Sequence, residues 1–197
     1  MGKGNVPIGK MRGSGRLKRM IMTGLLLFNL NYYLPRPVQE ELSGKVQTSE
    51  LTELMKDPFG KVHVEDNPIL SEDGQVLLNQ IDLFFSGNPT LTADVITDRF
   101  GKLSSDDQRY FHRRFISVLH DLHEKGRHYT VAVKSLVYLS KNINYLTDDE
   151  ITQVYRIAIH EFGLLAEEAE SRGTTDDAEY YRGIQRELLN LIRWEGR

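Results

Sequence analysis

The amino-acid sequence predicts an all-α fold, an antiparallel bundle of about five to six helices preceded by a flexible basic arm. Three observations predict it. Apolar residues recur at three- and four-residue spacing through most of residues 105–194. Four segments share the order Leu, hydroxyl, any residue, Asp, which is the chemistry of a helix start. The connections between the periodic stretches are short, which favours antiparallel neighbours.

The chain divides into residues 1–19, a basic arm; 20–37, a hydrophobic segment with a proline linker; and 38–197, the helical domain. In the arm, Lys3, Lys10, Arg12, Arg16, Lys18 and Arg19 precede any acid, and five glycines loosen the backbone. Met20 to Leu34 is then apolar, with Leu25, Leu26, Leu27 and Phe28 at its centre and Tyr32 and Tyr33 near its end. Pro35-Arg36-Pro37 closes it. The segment is too short for a membrane span of about 20 residues and carries Asn29 and Asn31. It lacks the small-residue cleavage site of a secretory signal, although organelle or secretory targeting by residues 1–34 stays open. Two readings fit it better. One is a core helix ended by Pro35. The other is an interfacial anchor, with Arg16, Lys18 and Arg19 meeting anionic groups and the tyrosine pair at the boundary.

Residues 38–70 show the weakest pattern. A short helix is expected over Ser49–Lys56, stopped by Asp57-Pro58. Lys61 to Glu65 alternates like a brief strand, either paired elsewhere or simply extended. Helix starts follow at Leu70-Ser71-Glu72-Asp73, Leu91-Thr92-Ala93-Asp94, Leu103-Ser104-Ser105-Asp106 and Leu146-Thr147-Asp148-Asp149. At the last of these, Thr147 and Glu150 form a capping box, and Leu146 and Ile151 a hydrophobic staple.

In 105–125 the face of Phe111, Phe115, Val118, Leu119 and Leu122 points to a core, and Gly126 ends the helix. In 129–143 the polar residues Lys134, Ser135, Lys141 and Asn142 share one side and the rest is apolar, so this helix should be largely buried. In 148–171 Ile151, Val154, Tyr155, Ala158, Phe162, Leu165 and Ala169 line one face. Ile157 and Leu164 add a second apolar spot, which suggests packing on two sides. Gly173 is the expected stop. In 175–194 Ala178, Tyr181, Ile184, Leu188 and Ile192 repeat the pattern.

Composition narrows the function. Apolar and charged fractions of 40% and 27% are those of an ordinary globular chain. The net charge of −3 hides an asymmetry. Six of the 25 Lys and Arg lie in residues 1–19, so 19 cations face all 28 Asp and Glu in residues 20–197, about −9. A cationic arm on an acidic body points to a polyanionic partner or to docking on an acidic protein surface. The chain has no cysteine, which excludes disulfides, thiolate metal sites and thiol nucleophiles.

Candidate chemistry is sparse. His112, His120, His123 and Glu124 are spaced to meet a cation from one helix, but His120 falls opposite the apolar stripe, among Arg109 and Arg113, and a solvated face is the better reading. His160-Glu161 lacks the second histidine of His-Glu-x-x-His and falls away from the apolar face. Arg109, Arg113, Arg114, Lys125, Arg127 and His128 gather around the end of one helix as a candidate anion-binding patch, diluted by Asp106, Asp107, Asp121 and Glu124. A helix-turn-helix around Gly101 is disfavoured, because Asp106 and Asp107 would be aimed at DNA.

No catalytic, cofactor-binding or metal-ligating set is assigned, and no cofactor is expected. The leading expectation is a non-enzymatic helical interaction module, intracellular, with peripheral attachment to a membrane as an option. It would have protein partners and dock on a membrane surface or larger complex through Arg16, Lys18, Arg19, Leu25, Leu26, Leu27, Phe28, Tyr32 and Tyr33. The alternatives are a nucleic-acid-associated protein using the arm and the Arg109–His128 patch, and an enzyme with a dispersed site.

Overall fold

A computed structural model describes residues 57–60, 63–66 and 68–193, with side chains through Leu191. The described part is all-helical: α1 (Glu72–Phe84), α2 (Pro89–Arg99), a 3-10 turn (Phe100–Lys102), α3 (Ser105–Glu124), α4 (His128–Asn142), α5 (Asp148–Arg172) and α6 (Thr175–Arg193). The basic arm, the hydrophobic segment and the expected helix at 49–56 lie outside the described residues. His63, Val64 and Glu65 form no strand, so that part of the alternating stretch runs as a loop. Without a partner strand, alternation alone cannot satisfy backbone groups.

Helix starts follow the capping chemistry, with one correction. Ser71, Ser104 and Thr147 each accept a backbone N–H of the first turn, and Thr147–Glu150 closes a full capping box. Thr92 does not start a helix. Asn88 is the cap, accepting from Leu91 N at 3.3 Å, and Pro89 takes the first turn, where its missing N–H costs nothing. Thr92 instead sits inside α2 and returns its hydroxyl to the Asn88 carbonyl. At the other end of the bundle, Gly173 adopts the left-handed conformation that ends α5.

α5 packs along α4 on one side and α6 on the other, while α2 and α3 complete the bundle against α4. The core centres on Phe100, Phe111, Phe115, Leu119, Tyr138, Leu139, Ile151 and Ile157, all essentially solvent-free. Tyr138 stacks on Phe115 with ring centroids 3.9 Å apart. The polar side expected for α4 divides. Ser135 and Asn142 are buried, bonded to the Val131 and Thr97 carbonyls, whereas Lys134 and Lys141 reach Asp94 and Asp98 of α2. α2 lies over that side, so polarity there serves an interhelical seam.

Asp107 is buried as well, contrary to an outward-facing carboxylate. It accepts from Ser71 N at 3.1 Å and from the Ser71 hydroxyl. A Cβ at position 74 would stand 2.7 Å from Asp107 Oδ2, so the glycine there lets α1 dock on the first turn of α3. The other carboxylate of that pair, Asp106, stays exposed and pairs with Arg109 at 2.9 Å.

Candidate functional site

Three helix segments converge on one buried carboxylate. α3 ends at Glu124, and Gly126 at φ +67° reverses the chain within three residues. Arg127 N bonds back to the Leu122 carbonyl at 3.0 Å. The reversal sets His123, in the last turn of α3, beside His128, the first residue of α4, with ring centroids 5.3 Å apart. The middle of α5 supplies His160 and Glu161.

Glu161 is fully buried. Its position relative to Ile157 and Leu164, four before and three after, puts it on the second apolar stripe of α5. Packing on that stripe buries it, so the expectation that His160-Glu161 faces away from packed surface fails for Glu161. His160 is part-buried.

Both oxygens of Glu161 are held. His123 Nδ1 stands 2.7 Å from Oε1 and His128 Nδ1 2.8 Å from Oε2. With Glu161 ionised, each imidazole donates an Nδ1–H, a charge-assisted pairing that makes burial tolerable. Burial pushes the Glu161 carboxyl above its ordinary range, against the opposing pull of the His128 hydrogen bond and the His123 and His128 charges. His160 adds a third imidazole, its ring centroid 5.7 Å from that of His123. Burial lowers the His160 pKa, and charge on His123 or His128 lowers it further. Its Nδ1 is buried and meets no hydrogen-bond partner among the described residues. One nitrogen each of His123 and His160 and one oxygen of Glu161 lie within 4.8 Å of one another. Phe59 covers the group, packing on His123 and His120 at 5.1 and 5.2 Å.

The set weighed from the sequence as a cation site does not come together. His120 is exposed and pairs loosely with Glu124 at 3.7 Å, on the solvated face expected for it. His112 is buried instead. Its Nδ1 meets the Tyr138 hydroxyl at 3.2 Å and its Nε2 lies 3.4 Å from Gln153 Oε1, while Gln153 donates to the Phe59 carbonyl at 2.9 Å. His63 is exposed.

Members of the anion-patch set stand opposite acids. Arg109 pairs with Asp106, Arg113 with Glu65 at 3.7 Å, Arg114 with Asp82 at 2.7 Å and Lys125 with Asp121 at 2.7 Å, while His128 serves Glu161. Arg127 is exposed. The docking residues Arg16 to Tyr33 lie outside the described residues.

The chain matches no family model, and no curated protein or solved structure is significantly similar to it.

A second surface stands apart from the carboxylate. On α1, Leu77, Leu78 and Ile81 face the core, while Val76, Leu83 and Phe84 point outward. Leu83 is 76% exposed, Phe84 74%, and Ile69 just before the helix 100%. α1 thus presents apolar side chains on both faces, one of them uncovered by any described residue. No helix among the described residues is long and apolar enough to cross a membrane.

Proposed function

We propose that the chain is a non-enzymatic helical assembly module that joins a larger complex through protein contacts. The supporting observation is the open face of α1. Val76, Leu83 and Phe84 project from a helix whose other face is already packed, and Ile69, just before that helix, is fully exposed. Isolated exposed apolar residues are ordinary, but several large ones along one short helix are the usual mark of a contact surface. In this reading the basic-hydrophobic N-terminal segment is the second attachment point, with Arg16, Lys18 and Arg19 opposite anionic groups and Leu25, Leu26, Leu27 and Phe28 buried on docking. The nucleic-acid alternative draws less support, because Arg109, Arg113, Arg114 and Lys125 each already face a carboxylate.

The test is sedimentation velocity of the full chain over a range of concentrations, beside L83E/F84E. A parallel set of vesicle co-sedimentations, anionic and neutral at two salt concentrations, compares it with a chain lacking residues 1–34. Concentration-dependent association lost in the double variant, or salt-resistant vesicle binding lost on truncation, supports the reading. A full chain that neither self-associates nor binds vesicles, with Leu83 and Phe84 equally solvent-labelled alone and among cellular proteins, contradicts it.

A further inference from the structure

Independently of the α1 surface, we propose that His123, His160 and Glu161 form a binding site for one divalent cation of the zinc type, with His128 positioning the carboxylate. Two imidazole nitrogens and one carboxylate oxygen are a donor set suited to borderline metals, and they are too few oxygens for calcium or magnesium. The three donors come from rigid helix segments, the last turn of α3 and the middle of α5. They already lie within 4.8 Å of one another. A tetrahedral ion with bonds of about 2.0–2.2 Å needs its ligands about 3.4 Å apart, so modest turning of the imidazole rings closes the set. Three protein ligands leave the fourth position to water or to a ligand from a partner.

The competing explanation is a purely structural stitch, a buried carboxylate tied to two helices by His123 and His128. That stitch accounts for three of the four side chains and leaves His160 without a role. Its Nδ1 is buried and has no hydrogen-bond partner among the described residues, and its ring centroid stands 5.7 Å from that of His123. An imidazole nitrogen with no hydrogen-bond partner can meet a cation without giving up an existing bond. His128 has the place of an outer-shell partner. It fixes Oε2 of Glu161 and leaves Oε1, now shared with His123, for the ion. Phe59 over His123 gives the site an apolar cover.

The experiment is isothermal titration of the full, tag-free chain with zinc chloride after removal of bound metal by chelation, repeated with cobalt chloride. The wild type is expected to take up one equivalent. His160→Leu, which removes a ligand and keeps side-chain bulk, should weaken binding by about a hundredfold or more, and His128→Gln by about 10–100-fold. Glu161→Gln should abolish uptake, with circular dichroism reporting whether that variant folds. His120→Gln and His112→Gln should bind like the wild type. No uptake by the wild type, or undiminished uptake by folded His160→Leu, overturns the proposal. So does loss of uptake in His120→Gln, which would put the ion on the solvated face of α3.

Discussion

Two buried polar clusters join α3 and α5, about three turns apart along α3, and they differ in one respect. Around His112 the polar groups are closed: Tyr138 meets one ring nitrogen, Gln153 the other, and Gln153 in turn holds the Phe59 carbonyl. Around Glu161 the carboxylate is equally well served, by His123 and His128, yet the Nδ1 of neighbouring His160 is left over among the described residues. Phe59 touches both clusters, through its carbonyl in the first and its ring in the second. The difference teaches that burial of a histidine is not itself a sign of function. A closed network fixes the register of helices, whereas an unspent, desolvated donor marks a place built for something else.

The contrast can be broken first at Tyr138, which belongs wholly to the closed side. Tyr138→Ala removes a solvent-free ring stacked on Phe115 and should destabilise the fold by about 3–5 kcal/mol in urea unfolding. Tyr138→Phe keeps the ring and deletes only the hydroxyl, leaving His112 Nδ1 unpaired, and should cost about 1–3 kcal/mol.

Next comes pH. Burial, the largest influence, and the nearby Arg113 charge lower the His112 pKa from 6.5, while Glu150 and the Gln153 hydrogen bond raise it, with a net lowering. The groups facing it are Tyr138 from α4, Glu150 and Gln153 from α5, and Arg113 on its own helix. Between the lowered folded value and 6.5 the unfolded chain binds more protons, so stability rises with pH across that window. The contribution is complete above about 6.5 and is lost as pH falls through the window. His112→Gln should flatten that rise relative to the wild type, measured as urea midpoints at several pH values. An unchanged slope would mean His112 is not the group responsible.

The smallest effect belongs to the open side. Without added metal, His160→Leu removes an unpaired buried nitrogen and should change stability by no more than about 0.5–1 kcal/mol. A large loss would show that His160 is paired after all.

Much of the bundle was legible in the sequence, because capping and periodicity are local signals. Ser71, Ser104, Thr147 and Gly173 act where their neighbours implied. At Thr92 the hydroxyl-x-Asp pattern misled, since Asn88-Pro89 upstream is the stronger start. The Glu161 cluster was not legible in the same way. Its two halves, His123 with His128 and His160 with Glu161, are separated by more than 30 residues, and they meet only through the tight reversal at Gly126 and the packing of α5 on two sides. The one local signal was the second apolar spot of Ile157 and Leu164. A carboxylate set between those residues lies on a face that packing buries. Read by itself, His160-Glu161 offered only an incomplete metalloprotease motif. Similarly, Asp107 and Gly74 gain meaning only when α1 docks on α3.

The most direct measurement is the imidazole nitrogen NMR spectrum of the full, tag-free chain during titration with zinc chloride. The account expects the ring nitrogens of His123 and His160 to shift toward metal-bound values at one equivalent, with those of His112 unmoved. Equal movement of all six histidines, or a shift confined to His120, would contradict the distinction between a closed cluster and an open one.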